Sequence, residues 1–249
     1  MGKPKVAFFD FASCEGCQIE LTNYGDAAFL ELLNHIDIVE FREAMTETGD
    51  HIDIACIEGS FTREADRPRL EEVRKRASIV IAYGACAATG GINALKNHQS
   101  DYKEDVYKKD AKMTHLDSQQ ALPISAAIKV DYSVYGCPMD KYEFLRIVSH
   151  LVHGKEPVIP NYPVCMECKR KGTICRYEDG DHCIGMIARA GCGAPCPADG
   201  IPCEACRGFV DIPNETALKK VLMDKGGLSE RWAENKSRMF TANLRSDAR

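Results

Sequence analysis

Cysteine is the residue type in this sequence whose number and spacing most clearly point to chemistry. The chain has thirteen cysteines in 249 residues, and eight of them lie in one short stretch. They form two runs of four: the first run is Cys165, Cys168, Cys175 and Cys183, and the second run is Cys192, Cys196, Cys203 and Cys206. A 4Fe-4S cluster takes one thiolate at each iron, and such short gaps let four thiolates converge. The spacing therefore predicts two clusters in this stretch.

Two other uses of closely spaced cysteines compete with this interpretation. Disulfides are typical of small secreted domains, but the N-terminal residues contain no apolar segment followed by a cleavage site, so we expect a cytoplasmic protein with reduced thiols. A structural zinc ion could bind Cys165 and Cys168 together with Cys203 and Cys206. Because one zinc site would leave the intervening cysteines without a ligand role, clusters are favoured and zinc remains the alternative.

The first 160 residues predict a parallel α/β sheet. Almost continuously apolar segments alternate with helical patterns, which is typical of a parallel sheet covered by helices on both faces. The predicted strands are 6–11, 36–41, 52–57, 78–83 and 130–135, and the predicted helices are 18–35 (interrupted near Gly25), 67–77 and 141–153. The functional loops of such a sheet lie beyond the carboxyl ends of its strands.

Four further cysteines, which we call the edge set, follow these strands: Cys14, Cys17, Cys86 and Cys137. Since parallel strands end at the same edge, we expect the four thiolates to meet there and to hold a third 4Fe-4S cluster. A glycine or proline lies within two residues of each of them, and small residues let backbone amides approach the sulfides of a cluster. The thirteenth cysteine, Cys56, lies within an apolar strand and is predicted to be an ordinary core residue.

Composition excludes several classes of function. The net charge is -5, so no basic surface is expected to attract nucleic acid or an anionic membrane. No stretch approaches the roughly 20 apolar residues that a membrane-spanning helix requires. The loop after the first strand lacks the glycine patterns of dinucleotide and P-loop sites, so a bound flavin or dinucleotide is not expected.

In their order along the chain, these motifs resemble the small, electron-transferring subunit of nickel-iron hydrogenases. The segments that carry the resemblance are Cys14-Glu-Gly-Cys17, Gly84-Ala-Cys-Ala-Ala-Thr-Gly-Gly91, Val130-Asp-Tyr-Ser-Val-Tyr-Gly-Cys-Pro138 and the two cysteine runs. The similarity extends over nearly all of residues 5–206. It points to the cytoplasmic branch, which includes the sulfhydrogenase, deazaflavin-reducing and heterodisulfide-reductase-linked types.

The resemblance implies a flavodoxin-like domain over residues 1–160, holding a proximal cluster on the edge set. It also implies a ferredoxin-like two-cluster domain and a C-terminal tail over residues 161–249. By analogy, the first run would hold the distal cluster and the second run the medial one. This division of the eight cysteines stays open, because neighbouring clusters can exchange ligands.

The resemblance also implies partners. Dihydrogen would be split at a nickel-iron centre in a separate large subunit, and this chain would pass single electrons through three clusters to a further redox subunit, either a flavin or an iron-sulfur protein. The chain offers four thiolates to each C-terminal cluster and has two residues between Cys14 and Cys17, which favours a soluble hydrogenase. Two alternatives stay open: a relay subunit of a complex I-like complex without nickel, and His182 as a ligand in place of a neighbouring cysteine.

Overall fold

A five-stranded sheet organises the first part of the chain. The computed structural model describes residues 2–22, 27–107 and 116–244. The strands are β1 (Lys5–Asp10), β2 (Asp37–Phe41), β3 (Ile52–Glu58), β4 (Ala77–Tyr83) and β5 (Tyr132–Val134). Their order in the sheet is β2-β1-β3-β4-β5, and every neighbouring pair is parallel. This is the flavodoxin-type order, with its switch point between β1 and β3. The predicted flavodoxin-like parallel sheet is confirmed.

Helices connect the strands and continue beyond them. They are α1 (Gly16–Thr22), α2 (Ala27–Leu33), α3 (Arg67–Arg76), α4 (Gly84–Thr89), α5 (Tyr102–Tyr107), α6 (Lys141–Val152), α7 (Cys165–Lys171), α8 (Pro195–Ala198), α9 (Glu215–Asp224) and α10 (Glu230–Lys236). Short 3-10 helices cover Glu64–Asp66, Ile92–His98 and Ile124–Ala126. The helix predicted over 18–35 is two helices, and residues 23–26 between them lie outside the described residues.

Both faces of the sheet are covered by apolar side chains, as the continuous apolar strands predict. Successive residues of a strand point to opposite faces. Phe8 packs on one face with Phe144 of α6, and Phe9 packs on the other face with Leu70 of α3. Each such buried side chain stabilises the fold by about 1.5–3 kcal/mol relative to an exposed one. The sheet therefore has a large apolar core of its own, on which its loops can rest. We refer to residues 5–152 as the sheet region.

The stretch with the two cysteine runs, residues 164–209, has a different construction, and we call it the cysteine-rich region. Its regular elements are only α7 and α8, and isolated bridges join Pro163 to Arg189 and Ala188 to Phe209. A separate small core lies beneath it; its buried members include Val164, Ile184, Ile187, Phe209, Leu218 and Leu222. The last two belong to α9, so the C-terminal helices complete this core.

The C-terminal tail packs on the rest of the chain. Asn243 donates hydrogen bonds to the backbone oxygens of Thr89 in α4 (3.0 Å) and of Ala121 (2.9 Å). Trp232 in α10, in contrast, keeps 65% of its surface exposed. Across the described residues, none of the helices combines the length and the apolar character that a membrane crossing demands.

Candidate metal centre

The edge set meets at the carboxyl ends of three strands. Cys14 follows β1, Cys17 lies in the first turn of α1, Cys86 lies in α4 directly after β4, and Cys137 follows β5. Burial raises the pKa of the Cys17 thiol, and the charges of Glu58, Cys86 and Cys137 raise it further. Burial also raises the pKa of Cys86 to about 12, with contributions from Cys137 and Cys14. The four sulfurs therefore lie close enough to interact electrostatically, at the edge of the sheet where the sequence predicts that they meet.

Glycines leave the space around these sulfurs open. A Cβ atom on Gly84 would lie 2.5 Å from Sγ of Cys17, and one on Gly91 would lie 3.1 Å from Sγ of Cys86. Both glycines have positive φ angles, 84° and 58°, which side chains disfavour. Any larger residue would thus fill the space in which a group bound to these thiolates must sit. The donor set and the cradle fit a 4Fe-4S cluster.

A buried carboxylate holds the start of α1 in place. Glu58, at the end of β3, is only 2% exposed, and its two oxygens accept hydrogen bonds from the backbone N–H groups of Cys17 (3.2 Å) and Gln18 (3.1 Å). The first N–H groups of a helix have no partner within the helix, so this contact supplies one. Burial raises the pKa of Glu58. Sequence reasoning missed this residue, although an acidic residue that ends an apolar strand was a visible signal.

A second polar contact reaches the edge set from the 3-10 helix after α4. The side-chain amide of Asn93 donates to Oγ of Ser60 (2.9 Å) and to the backbone oxygen of Ala12 (3.0 Å), and its nitrogen lies 3.8 Å from Sγ of Cys86. This amide was also missed, because its partners are far away in the sequence. It ties the loop after β1 to the loop after β3 beside the Cys86 sulfur.

The first run gathers around the start of α7. Burial raises the pKa of Cys165 to about 11, and the charges of Cys183, Cys168 and Cys175 add to this rise. A Cβ on Gly185 would lie 3.4 Å from Sγ of Cys183 and 3.7 Å from Sγ of Cys165. The four cysteines of the first run are therefore neighbours in space as well as in sequence.

The second run lies between the other two groups. Burial raises the pKa of Cys203, and the charges of Cys183, Cys206 and Cys192 raise it further. Cys192 and Cys206 line a cavity of about 240 Å³ together with Pro195, Gly136 and other residues. Cys196 is exposed and directly follows Pro195 in α8. The residues on either side of Cys137, Gly136 and Pro138, line the same cavity, so this loop and the second run are neighbours.

One hydrogen bond to sulfur and one electrostatic interaction join the three groups. Burial raises the pKa of Cys206 to about 11, and the charges of Cys192 and Cys137 add to this rise. The backbone N–H of Cys203 donates to Sγ of Cys183 over 3.3 Å. The second run thus contacts the edge set on one side and the first run on the other.

The two remaining candidates occupy ordinary positions. Cys56 is fully buried in β3 among apolar side chains, as predicted for a core residue. His182 places Nδ1 2.9 Å from a carboxylate oxygen of Asp181 and Nε2 3.9 Å from one of Glu204. Within residues 2–22, 27–107 and 116–244, no three or more His, Cys, Asp or Glu side chains are grouped closely enough to hold a single metal ion.

Comparison with known proteins identifies the family. The model of the family described as "NADH ubiquinone oxidoreductase, 20 Kd subunit" matches residues 14–151, more than half of the chain. One subunit of the F420-non-reducing hydrogenase vhu from Methanocaldococcus jannaschii is 32% identical over 246 residues, covering 83% of this chain and 82% of that protein. Sulfhydrogenase 2 subunit delta of Pyrococcus furiosus is 31% identical over 228 residues, covering 89% of this chain and 94% of that protein.

A solved structure shares the fold over almost the whole chain. The actinobacterial-type NiFe-hydrogenase from Ralstonia eutropha H16 aligns with a TM-score of 0.57 at 15% identity, covering 98% of this chain and 92% of that one. At this identity the likeness concerns the fold alone, and the sequence matches carry the family assignment. The chain therefore belongs to the family of nickel-iron hydrogenase small subunits, which makes it an iron-sulfur subunit of an oxidoreductase complex.

Proposed function

We propose that this chain is the electron-relay subunit of a soluble, cytoplasmic nickel-iron hydrogenase. It carries electrons from dihydrogen oxidation, or toward proton reduction, between a separate nickel-iron large subunit and a further flavin or iron-sulfur subunit. The observation that supports this most directly is the gathering of the cysteines in three adjacent groups. The second run interacts with the edge set through Cys206 and Cys137, and with the first run through the hydrogen bond from Cys203 to Cys183.

We assign one 4Fe-4S cluster to each group: proximal to the edge set, medial to the second run and distal to the first run. When bound, such clusters accept and release single electrons. The thiolates hold them, and the glycines at positions 84 and 91 leave room for them. The N–H groups of Gly185 and Cys203 both point to Sγ of Cys183, and hydrogen bonds of this kind raise the potential of the bound group.

The spatial order of the groups supports a linear path. Cys137, in the edge set, interacts electrostatically with Cys206 of the second run, and the N–H of Cys203 in the second run donates to Sγ of Cys183 in the first run. An electron that enters at the edge set therefore passes the second run before it reaches the first. This order matches the assignment of proximal, medial and distal positions.

The strand-end loops are the proposed docking site of the large subunit. Cys14 and Cys137 are exposed at this edge, although Cys17 beside them is buried. Ile19, on α1, adds an apolar side chain that is 62% exposed. A partner seated here would exclude water from the proximal cluster and bring it close to the nickel-iron centre. The opposite end of the path, near the exposed Cys175, is left for the further redox subunit.

The metal content of the complex tests the proposal. The complex would be purified without oxygen by a tag on this chain, and its iron, acid-labile sulfide, nickel and zinc measured. Three four-iron clusters require about twelve irons per copy, in addition to the iron of the large subunit. Nickel together with dihydrogen-dependent dye reduction is the expected result. Zinc without sulfide would overturn the assignment.

A single substitution tests the role of the edge set. Cys17→Ser should abolish dihydrogen-dependent dye reduction while the large subunit keeps its nickel, because the first step of the path is lost. Cys56→Ala is the matched control, since that cysteine is buried in the core and is not assigned to a cluster. Unchanged turnover in Cys17→Ser would contradict the proposal.

A second candidate follows from the family match. The description of the matching family names a subunit of NADH ubiquinone oxidoreductase. The same fold could therefore act as an electron relay in a complex without nickel. Iron and sulfide without nickel, in a complex that retains its large partner, would favour this candidate over the hydrogenase.

A further inference from the structure

A buried ion pair lies between the edge set and the second run, and none of the assignments above uses it. Arg207 and Glu143 are 2% and 1% exposed, and Nη2 of Arg207 lies 2.7 Å from Oε2 and 2.8 Å from Oε1 of Glu143. The guanidinium also donates to two backbone oxygens, from Nε to Ala190 (2.8 Å) and from Nη1 to Tyr135 (2.6 Å). The cation is therefore fixed from three directions.

The partners of Arg207 belong to segments that carry cluster ligands. Tyr135 is two residues before Cys137, and Ala190 is two residues before Cys192. Arg207 itself directly follows Cys206. The guanidinium thus connects the backbone of the edge set to the backbone of the second run. It also lines the cavity of about 240 Å³ into which Cys192 and Cys206 face.

The backbone of Gly191, the residue before Cys192, packs closely against this ion pair. Its φ angle is 119°, and a Cβ there would lie 2.9 Å from Cζ of Arg207 and 3.0 Å from Oε1 of Glu143. Only glycine allows the backbone to pass this close to the pair. The charges consequently lie one residue away from a proposed ligand of the medial cluster.

Stability alone does not account for an ion pair at this place. Removing two charges from water is costly, and apolar residues of similar volume are often equally or more stabilising in a protein interior. A buried guanidinium does, however, stay charged at any ordinary pH. In a medium of low polarity, its field acts strongly on other charges nearby. Of the two members of the pair, Arg207 is the one that lines the cavity with Cys192 and Cys206.

We propose that Arg207, held in place by Glu143, is a positioning residue that raises the reduction potential of the cluster bound by the second run. Reduction adds one negative charge to that cluster, and a fixed positive charge beside it favours the reduced form. Glu167, whose Oε1 accepts the N–H of Gly191 over 2.9 Å and whose Oε2 lies 4.0 Å from Sγ of Cys192, is an opposing charge near the same ligand. This inference rests on the proposed function, since it requires that the second run holds a cluster.

Three variants of the complete hydrogenase complex test the inference by redox titration followed by electron paramagnetic resonance. In Arg207→Gln with Glu143→Gln, both charges are lost, and the loss of Arg207 dominates because it lines the cavity beside Cys192 and Cys206. The reduction equilibrium of one cluster should then fall about tenfold, or about 59 mV for one electron. In Glu143→Gln alone, the cation stays without its counter-charge, and the same cluster should shift upward. Arg207→Lys with Glu143 intact should stay close to the unchanged protein. A purely structural pair would not produce shifts of opposite sign.

The outcomes separate this inference from the proposed function. If the unchanged complex shows no cluster signals, the proposed function fails, and the inference fails with it. If three clusters are present and neither shift occurs, the inference alone is overturned. If the double variant loses iron, the test depends on Glu143→Gln alone. No upward shift of the reduction potential in Glu143→Gln would then overturn the inference. Loss of iron from all three variants, Arg207→Lys included, would give the pair a structural role and would also overturn it.

Discussion

The sheet region and the cysteine-rich region hold their cysteines in different ways. In the sheet region, the edge set lies at the ends of strands whose apolar core covers both faces of the sheet, and of the four cysteines only Cys17 belongs to that core. In the cysteine-rich region, the cysteines lie in turns and two short helices above a small core. We therefore expect the first region to fold without its proposed cluster, and the second to depend on bound metal for much of its stability. Four experiments test this contrast.

The largest expected effect is the response to the loss of iron. Without clusters, residues 164–209 should lose nearly all protection against hydrogen exchange, because thiolate ligands replace much of the missing core. Strands β1, β3 and β4 should keep about 5 kcal/mol or more of protection, as expected for a domain with its own core. Exchange measured by mass spectrometry on the iron-free and complete proteins would show this. Equal loss in both regions would contradict the contrast.

Substitution of single ligands should also separate the regions. Cys14→Ser should cost about four irons, since it affects only the cluster of the edge set. Cys203→Ser should cost about eight, because Cys203 lies between the two runs and its N–H contacts Sγ of Cys183. Cys56→Ala should keep all of the iron. Iron analysis of the three purified variants gives the answer, and equal losses from the two serine variants would show that the runs are independent.

Glycine substitutions give a smaller and more local effect. Gly84→Ala places a methyl group 2.5 Å from Sγ of Cys17, so it should remove about four irons and leave the cysteine-rich region intact. Gly154→Ala is the control, since that glycine also has a positive φ, 64°, but has no atom within 4 Å of its Cβ position. The control should cost only about 1 kcal/mol of backbone strain and no iron. If Gly84→Ala retains all of its iron, the open space that Gly84 leaves beside Sγ of Cys17 is not required for cluster binding.

The smallest effect belongs to an ion pair in the sheet region. Burial alone would raise the pKa of Asp131, but hydrogen bonds from the backbone N–H of Val80 (2.9 Å) and from Arg74 (2.5 Å) hold that pKa below its usual range. Its contribution to stability is therefore complete above the unfolded value of about 3.9 and fades as the pH falls through the lower folded value.

Asp131→Asn should accordingly destabilise β4 and β5 at pH 7 by about 1 kcal/mol. Hydrogen exchange of these strands measures the change, and iron content serves as the control because it should not fall. A loss of iron in this variant would mean that cluster binding by the edge set depends on the local order of β4 and β5.

Periodicity and spacing predicted the elements that are regular. The strands, their parallel arrangement and the meeting of the edge set at one edge follow from local patterns and from the geometry of parallel sheets. The last strand is shorter than predicted, Tyr132–Val134 instead of 130–135. One reason is that the backbone N–H of Val80 donates to the side chain of Asp131, while the N–H of Asp131 donates to the backbone oxygen of Val80. This pairing differs from the regular backbone hydrogen bonds of a parallel sheet, so the strand begins after Asp131.

The polar contacts around the cysteines could not be predicted in the same way. Glu58 meets Cys17 across 41 positions, and Arg207 meets Glu143 across 64 positions. Such pairs leave no periodic signal, since each partner alone is an ordinary charged residue in the sequence. The division of the eight cysteines between two clusters also stays a prediction, because Cys203 interacts with cysteines of both runs.

The contact between Cys203 and Cys183 has a consequence for modularity. The backbone oxygen of Cys203 accepts a hydrogen bond from Ile184 over 3.0 Å, while its N–H donates to the sulfur of Cys183. Residues of one run thus complete the backbone pairing of the other, so neither run is a separate module that recombination could exchange alone. A segment that keeps their shared core would begin near Tyr162 and include both runs and the helices α9 and α10, but transferring it would also separate Arg207 from its buried partner Glu143.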